Sequence, residues 1–371
     1  MTKLVEETLV LEEIAVEGYR KVFKITDEKV GLKAIICIHD DTLGPALGGT
    51  RIYPYPTFEA ALTDVKRLAK GMTHKSSVAE AGLGGGKSVI ISDQKGKTKE
   101  LMRSFARAID KLEGLYTAAE DVGCSLEDVT LMSQYTRYVV GVGHKKSSGN
   151  PAPFTGWGTY RGIQATLKKI FGSESVQGRT IAIQGLGSVG SWLAEMLFWH
   201  GAKLILSDID WEKTLFLADK FGARACPADD ILMQECDILA PCAMGGIINP
   251  QTIPQLKCKG IAGCSNNQLL SDADGQELMK KGILYAPDFV INAGGLINVA
   301  QEIAQEGYNP AASREKVDNI YNQLISIFEF AETHHVSTDQ AAVSLAESHV
   351  KSGKGKRVIP PSYHHYTHEK P

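Results

Sequence analysis

The sequence lacks both an excess of one charge and a long hydrophobic run. Its 371 residues include 40 Lys and Arg against 43 Asp and Glu, so the formal net charge is −3. This balance provides no basic surface for nucleic acid or for an anionic membrane. Hydrophobic runs are short, such as AIICI at 34–38, whereas a membrane-spanning helix needs about 20 apolar residues. We therefore expect neither nucleic acid nor a membrane as a partner.

The first twenty residues lack the pattern of a targeting signal. A secretory signal is basic and then hydrophobic, and a transit peptide avoids acidic residues. This segment instead contains five glutamates. We therefore expect a cytoplasmic protein.

The cysteines lack the spacing of a disulfide framework or a zinc site. There are seven, an odd number, and no CxxC motif occurs. We expect reduced, buried thiols and no metal site. The C-terminal tail contains His364, His365 and His368. These side chains could ligate a metal, but we expect a frayed or interface-packed terminus instead.

The length and the glycine-rich segments predict two domains. About 150 residues per domain gives between two and three domains, and a hydrophobic fraction of 43% is sufficient for large cores. The segment SSGNPAP at 147–153 is typical of a passage between domains. We therefore place the first boundary between residues 146 and 147.

Hydrophobic periodicity predicts an α/β fold. In the first half, we expect a strand at 30–39, a helix at 57–69 that ends at Gly71, and a strand at 88–92. In the second half, an amphipathic helix is predicted at 317–328, and a further helix is predicted to begin at Ser337. Helices alternate there with buried parallel strands at 180–184, 203–207, 237–240 and 260–262.

A dinucleotide-binding motif occupies 185–190. The sequence GLGSVG follows a buried strand and opens a hydrophobic helix, as in a Rossmann unit. Gly185 permits a tight turn, Gly187 lets the backbone approach a pyrophosphate, and Gly190 lets helix and strand pack closely. The helix N-terminus supplies N–H groups for phosphates, which adds Ser188 and Val189 to the predicted cofactor contacts.

An acidic residue ends the next predicted strand. Asp208 lies 18 residues beyond Gly190, where the motif places a carboxylate that accepts hydrogen bonds from the ribose hydroxyls. Its charge would repel a 2′-phosphate. The sequence therefore predicts NAD rather than NADP.

Three segments of the first half combine glycine with lysine or acid. Leu47, Gly48 and Gly49 lie in GPALGGTR, and Lys75 lies in KGMTHK. Lys87 follows three glycines and precedes a hydrophobic strand, so we expect it to be partly buried, with a lowered pKa suited to a general base. Two adjacent acids, Glu120 and Asp121, follow a run of small residues, and one of them is expected to enter a site.

Taken together, these segments resemble the leucine, phenylalanine and valine dehydrogenases of the glutamate dehydrogenase superfamily, and most of all the leucine enzymes. The resemblance covers nearly the whole chain in the same motif order. It rests on GPALGGTR, KGMTHK, GLGGGKSVII, AAEDVG, SSGNPAP, GLGSVG, APCAMGG, SNNQL and APDFVINAGGLINV.

The resemblance implies reversible, NAD-dependent oxidative deamination of an L-amino acid to a 2-oxo acid and ammonia. It implies a substrate-binding and oligomerisation domain from 1–146 and 337–371, a Rossmann domain from 147–336, an active site in the cleft between them, and a homo-oligomer.

The resemblance also implies roles for individual residues. Lys75 binds the substrate α-carboxylate, Lys87 is the catalytic lysine, and Asp121 exchanges protons with the amino group. Gly294 and Gly295 let substrate and nicotinamide approach. Further cofactor contacts are implied at Thr155, Cys242, Ala243, Asn266 and Asn292.

The side-chain pocket is expected to be apolar. Glutamate-selective relatives have Lys at the position of Leu47, and a second carboxylate would be buried here without a partner. The predicted lining consists of Leu47, Gly48, Gly49, Ala119, Leu296 and Val299. We expect branched aliphatic substrates (Leu, Val or Ile), with a phenylalanine- or tryptophan-selective enzyme as the alternative.

Two further alternatives come from other classes of protein. A non-catalytic NAD-binding protein would keep the fold, but it would be expected to have lost Lys75, Lys87 or Asp121. A 2-hydroxyacid dehydrogenase would need a histidine acid–base, for which His74 beside Lys75 is the one candidate in the glycine-rich segments.

Overall fold

A computed structural model describes residues 8–143 and 147–363. The chain divides into two compact units. The first contains the residues up to Asn150, Val299–Pro310 and the residues from His349 onward, and the second contains Pro151–Asn298 and Ala311–Ser348. This division differs from the sequence-based one: residues 147–150 and 299–310 join the first unit, and residues 337–348 stay in the second.

The first unit is built on a six-stranded mixed sheet in the order β1-β2-β3-β5-β4-β6. Strands β1, β2, β3 and β5 pair antiparallel, whereas β4 pairs parallel with both β5 and β6. The strands are β1 (Leu9–Ile14), β2 (Lys21–Asp27), β3 (Leu32–Asp40), β4 (Ala46–Tyr53), β5 (Gly84–Ile91) and β6 (Tyr116–Ala119).

Helices cover both faces of this sheet. On one face, α1 (Phe58–Val78) packs Ala61, Val65 and Ala69 against strand residues that include Val89. On the other face, α2 (Lys99–Asp110) and α3 (Leu126–Met132) complete a larger core around Phe105. These two cores fix the position of β4, β5 and β6.

The second unit contains a six-stranded parallel sheet in the order β9-β8-β7-β10-β11-β12. Numbered from its first strand this order is 3-2-1-4-5-6, that of the dinucleotide-binding doubly wound fold. The strands are β7 (Thr180–Gln184), β8 (Lys203–Ser207), β9 (Arg224–Ala225), β10 (Cys236–Pro241), β11 (Cys258–Ile261) and β12 (Leu284–Tyr285). The chain order reverses between β7 and β10, where such folds bind ligands.

Nine helices accompany this sheet in the described part of the chain. They are α4 (Ala152–Phe171), α5 (Ser188–Trp199), α6 (Trp211–Phe221), α7 (Asp272–Lys280), α8 (Asp288–Ile291), α9 (Gly294–Ala300), α10 (Pro310–Asp318), α11 (Ile320–His334) and α12 (Thr338–Ser352). The two-domain α/β fold predicted from the sequence is confirmed, and β7 and β8 have the predicted bounds.

Two sequence predictions about helices are wrong. Helix α1 does not end at Gly71 but continues to Val78, because an exposed glycine costs a helix only about 1 kcal/mol and the residues after it are buried. The helix predicted at 317–328 is two helices, α10 and α11, which meet at Asn319.

Candidate active site

Small residues leave space on one face of β4, β5 and β6. In this sheet Gly49 is level with Ala119 on β6, and the β4–β5 register puts it level with Lys87. A Cβ at Gly49 would lie 2.7 Å from Cβ of Asp121 and 3.2 Å from Nζ of Lys87. Glycine at this position therefore makes room for the lysine and the carboxylate to meet.

Lys87 and Asp121 form an ion pair on this face. Nζ of Lys87 lies 3.2 Å from Oδ1 of Asp121, and Lys87 is 6% exposed. The turn after β6 holds Asp121 in place, because the N–H of Ile52 donates to the carbonyl of Val122 at 2.9 Å. The structure thus brings together the two residues that the sequence predicts to be catalytic.

Burial sets the protonation behaviour of Lys87. Loss of water lowers the pKa of its ammonium group, and the negative charge of Asp121 opposes that effect without cancelling it. A lysine in this state gives up its proton more readily than one at the surface. It is therefore better suited than a surface lysine to serve as an acid–base group.

A second layer of charges, not predicted from the sequence, holds Asp121 from the other side. Nε of Arg51 lies 3.1 Å from Oδ2 of Asp121, and the same guanidinium lies 3.0 Å from Asp64. The hydroxyl of Tyr55 donates to Asp64 at 2.6 Å. Asp121 is thus shared between two cations. Arg51 could have been found from the sequence, because it follows Gly49 by two residues on the same strand.

Helix α1 carries Lys75 and His74 beside this face. Thr73, two residues before Lys75, occupies the space where Gly85 of β5 would carry a Cβ. His74 is buried, and this burial lowers its pKa to about 4. His74 is therefore neutral at pH 7 and fills the core.

In the second unit, the glycine turn at 185–190 has the predicted shape. Gly185 has φ +93°, and a Cβ there would lie 2.6 Å from Cβ of Ala243. A Cβ at Gly190 would overlap with the carbonyl of Gly185. At Gly187, the N-cap of α5, a Cβ would meet no atom within 4 Å. This open approach to the start of α5 fits a pyrophosphate.

Asp208 follows β8 and faces the same turn. Its Oδ2 accepts from the N–H of Leu186 at 2.6 Å, and its Oδ1 accepts from the N–H of Asp210 at 3.0 Å. Burial raises the pKa of Asp208, but these backbone donors and Lys213 outweigh it and hold the pKa below its usual range. The side chain is therefore a carboxylate at pH 7.

The loops after β10 and β11 line the point where the strand order reverses. The Cβ position at Gly190 lies 3.4 Å from Cβ of Cys242. Asn292 donates to Asn266 at 2.7 Å and to the carbonyl of Cys264 at 3.1 Å. Its buried Oδ1 has no partner among the described residues. Open space at Gly187 and this unpaired oxygen both fit a dinucleotide.

Comparison with known proteins gives the family. Residues 20–138 match the family model "Glu/Leu/Phe/Val dehydrogenase, dimerisation domain", and residues 210–352 match "Glutamate/Leucine/Phenylalanine/Valine dehydrogenase". Leucine dehydrogenase of Geobacillus stearothermophilus is 48% identical over 341 residues, which is 91% of this chain and 92% of the relative. The chain belongs to this dehydrogenase family.

Relatives with other substrates are nearly as similar. L-tryptophan dehydrogenase of Nostoc punctiforme is 44% identical over 93% of this chain and 97% of the relative. Its crystal structure aligns with a TM-score of 0.82 at 43% identity, over 91% of this chain and 97% of that one. Phenylalanine dehydrogenase of Bacillus thermotolerans is 40% identical over 96% of this chain and 94% of the relative.

The family makes the chain an amino acid dehydrogenase, and dehydrogenases of this family depend on a nicotinamide cofactor. The alternative of a non-catalytic protein is thereby excluded. So is a 2-hydroxyacid dehydrogenase, in agreement with the burial of His74. No helix among the described residues is long and hydrophobic enough to cross a membrane.

The remaining predicted site residues lie in different parts of this dehydrogenase. Leu47 is buried in β4 and Ala119 ends β6. Leu296 belongs to the second unit, whereas Val299 begins the segment that returns to the first. The space at Gly295 is taken by Thr155, whose Oγ1 lies 2.9 Å from the Cβ position. Helix packing thus accounts for Gly295, and a role toward ligands stays a prediction.

All seven cysteines are free, and the described residues contain no cluster of side chains that could hold a metal. His364, His365 and His368 lie outside the described residues.

Proposed function

We propose that this dehydrogenase uses NAD to deaminate L-leucine, L-valine or L-isoleucine, reversibly, to the 2-oxo acid and ammonia. The observation that carries the proposal is the ion pair of the buried Lys87 with the partly buried Asp121 at 3.2 Å, on the same sheet face as Leu47. A lysine for charge and proton transfer, beside a carboxylate for the amino group, is what deamination at Cα requires.

The proposed reaction divides the work among three residues of the first unit. Lys75 holds the α-carboxylate through its positive charge. Asp121 accepts a proton from the substrate ammonium, so that the amine can become an imine. Lys87 then activates water for attack on the imine carbon and stabilises the developing oxygen charge, after which ammonia leaves with a proton from Asp121. When NAD is bound, it supplies the acceptor for the hydride from Cα.

The proposed preference for NAD rests on Asp208. Its carboxylate follows β8 beside the glycine turn, in contact with the N–H of Leu186. In this fold an acid at that place accepts hydrogen bonds from ribose hydroxyls, and its charge opposes a 2′-phosphate. Further contacts with the cofactor are proposed for Thr155, Gly185, Gly187, Ser188, Val189, Gly190, Cys242, Ala243, Asn266 and Asn292.

The proposed aliphatic preference rests on Leu47. This side chain is 2% exposed and is level with Gly85 and Thr117 on the neighbouring strands. None of the three offers a charge to a second carboxylate, so glutamate would be bound without a partner. An aromatic substrate is the second candidate, because Ala119 is small and because tryptophan and phenylalanine dehydrogenases are among the relatives.

A panel of amino acids tests the proposal. We would measure kcat/KM for L-Leu, L-Val, L-Ile, L-Phe, L-Trp and L-Glu, each with NAD and with NADP. We expect the three aliphatic substrates to lead, because the proposed pocket is apolar. They should differ little from one another, since one methylene in such a pocket is worth only about 1–3 kcal/mol. If Phe or Trp led by more than tenfold, the aromatic candidate would replace the aliphatic one. Light scattering would test the proposed homo-oligomer.

A further inference from the structure

The segment after α12 is bound to the first unit by specific hydrogen bonds. The N–H of Arg357 donates to the carbonyl of Leu43 at 2.9 Å, and its Nε donates to the carbonyl of Gly82 at 2.9 Å. Gly82 has φ +66°, and a Cβ there would lie 3.3 Å from Cβ of Arg357. The loops that lead into β4 and β5 therefore accommodate Arg357 closely.

A second set of hydrogen bonds holds the residues that follow Arg357. The N–H of Ser362 donates to the carbonyl of Ile303 at 3.1 Å, and the side chain of Gln305 donates to the carbonyl of Pro360 at 3.0 Å. Both partners belong to the part of the chain that returns to the first unit. The position of the next residue, Tyr363, is therefore fixed by several contacts.

Tyr363 reaches the sheet at Thr117. The two hydroxyl oxygens lie 2.8 Å apart, and Thr117 is fully buried in β6. The ring of Tyr363 packs edge-on against that of Tyr138, with centroids 5.1 Å apart and an interplanar angle of 88°. A residue near the end of the chain is thus built into the sheet 246 positions away.

The strand register places this contact beside the predicted substrate pocket. Thr117 is directly paired with Leu47, and Ala119 with Gly49. Side chains two apart on a strand share a face, so Thr117 and Leu47 lie one step further from Lys87 and Asp121 than Ala119 and Gly49 do. A substrate whose Cα is held at Lys87 and Asp121 would extend its side chain along this face toward Leu47 and Thr117.

We propose that Tyr363 is a specificity-determining residue that, together with Thr117, closes the side-chain end of the substrate pocket. This inference rests on the proposed function and adds a residue that no sequence motif marks. The hydroxyls of Tyr363 and Thr117 satisfy each other. Burial raises the pKa of Tyr363, so the phenol is neutral at pH 7. The side chains of Tyr363 and Thr117 therefore add no charge to this end of the pocket, in agreement with an aliphatic substrate.

The test uses L-amino acids with unbranched side chains of increasing length. We would compare kcat/KM for L-2-aminoheptanoate with that for L-norvaline in the full-length wild type and in Tyr363→Ala. Removing the ring opens the end of the pocket, so the ratio should rise about tenfold in favour of the longer substrate. A merely structural loss would lower both values equally. A change of less than threefold overturns the proposal.

Matched variants complete the experiment. Tyr363→Phe keeps the ring and should retain the wild-type ratio. Tyr363→Leu keeps an apolar side chain and provides the measurement if Tyr363→Ala does not fold. Tyr135→Ala is the control: this tyrosine contacts Arg103 and Arg107 elsewhere in the first unit, and its loss should leave the ratio unchanged.

The activity of the wild type distinguishes a failure of the proposed function from a failure of the role proposed for Tyr363. If it oxidises none of the amino acids, the proposed function fails and the role of Tyr363 fails with it. If it oxidises them and the ratio is the same in Tyr363→Ala, only the role of Tyr363 is wrong.

Discussion

Nζ of Lys87 and Oδ1 of Asp121 lie 3.2 Å apart, beside the space that the missing side chain of Gly49 leaves on strand β4. Arg51 contacts the other carboxylate oxygen at 3.1 Å. Burial lowers the pKa of Lys87, and the charge of Asp121, which is shared with Arg51, opposes this effect without cancelling it. Lys87 therefore gives up its proton more readily than a surface lysine, while Arg51 holds Asp121 in one orientation.

Replacing Lys87 tests its catalytic role. We expect Lys87→Met to lower kcat by about 10²–10⁴, the usual contribution of a positioned acid–base group. NADH should still bind with wild-type affinity, because the Rossmann unit carries that site. Stopped-flow rates and NADH fluorescence titration measure the two quantities. Lys169→Met, which removes a surface ion pair of 2.7 Å to Glu332, is the control. Near-native kcat in Lys87→Met would shift the acid–base role to Asp121.

Replacing Lys75 tests the carboxylate anchor. We expect Lys75→Gln to raise KM for the amino acid, since loss of one partner of a desolvated charge pair costs about 2–5 kcal/mol. Steady-state kinetics on L-Leu at saturating NAD measure the change, and the KM for NAD should not move. An unaltered KM for the amino acid would show that the carboxylate binds elsewhere.

The sequence predicted the parts of the fold that depend on local pattern. The strand, glycine turn, helix and acid of the Rossmann unit lie close together in the chain, and each has a characteristic composition. Hence β7, β8 and the Gly185 turn were predicted with the observed bounds. Lys87 was also identified, because glycine and a hydrophobic strand set it apart from surface lysines. Small residues drew attention to Glu120 and Asp121, but the choice of Asp121 came from the family resemblance.

Contacts between distant residues were not predicted. Glu302 is buried and accepts from the N–H of Ser148 at 2.7 Å and from the N–H of Gly141 at 3.1 Å, but nothing in its neighbourhood in the sequence indicates such partners. The contact of Tyr363 with Thr117 is of the same kind. Both depend on how the chain returns to the first unit, which local periodicity does not encode.

The choice of cofactor depends on the charge of Asp208. Asp208→Asn removes the charge but keeps an oxygen that can accept from the N–H of Leu186. We expect the ratio of kcat/KM for NADP to that for NAD to rise at least about fivefold, since two charges 4 Å apart interact by about 1–4 kcal/mol between water and a partly screened site. Asp210→Asn, on the neighbouring turn, is the control. Equal use of both cofactors by the wild type would contradict the prediction.

The burial of His74 makes stability depend on pH. Its pKa is lowered from 6.5 to about 4, first by burial and then by the charge of Lys70. The unfolded chain therefore binds a proton at pH values where the folded chain does not. The contribution to stability is complete above about pH 6.5 and is lost as pH falls toward about 4, which amounts to about 2 kcal/mol between pH 7 and pH 5.

Urea unfolding at pH 7 and pH 5 measures this contribution. The difference in stability between the two pH values should shrink in His74→Gln and should persist in His200→Gln, which alters an exposed histidine. An equal difference in His74→Gln and the wild type would show that His74 is not the group responsible.

The rejection of glutamate depends on Leu47. This residue is 2% exposed in β4 and is level with Thr117, and neither side chain carries a charge that could pair with a second carboxylate. Leu47→Lys would place an ammonium group there. We expect kcat/KM for L-Glu relative to L-Leu to rise at least about tenfold, because the γ-carboxylate would gain a partner in a site that excludes water.

Leu47→Met conserves volume without adding charge and should reject glutamate as the wild type does. Thermal unfolding of both variants would show whether the buried lysine is tolerated. If Leu47→Lys folds and gains no activity toward glutamate, Leu47 does not lie at the side-chain end of the pocket. The strand register would then no longer place Thr117 and Tyr363 at that end.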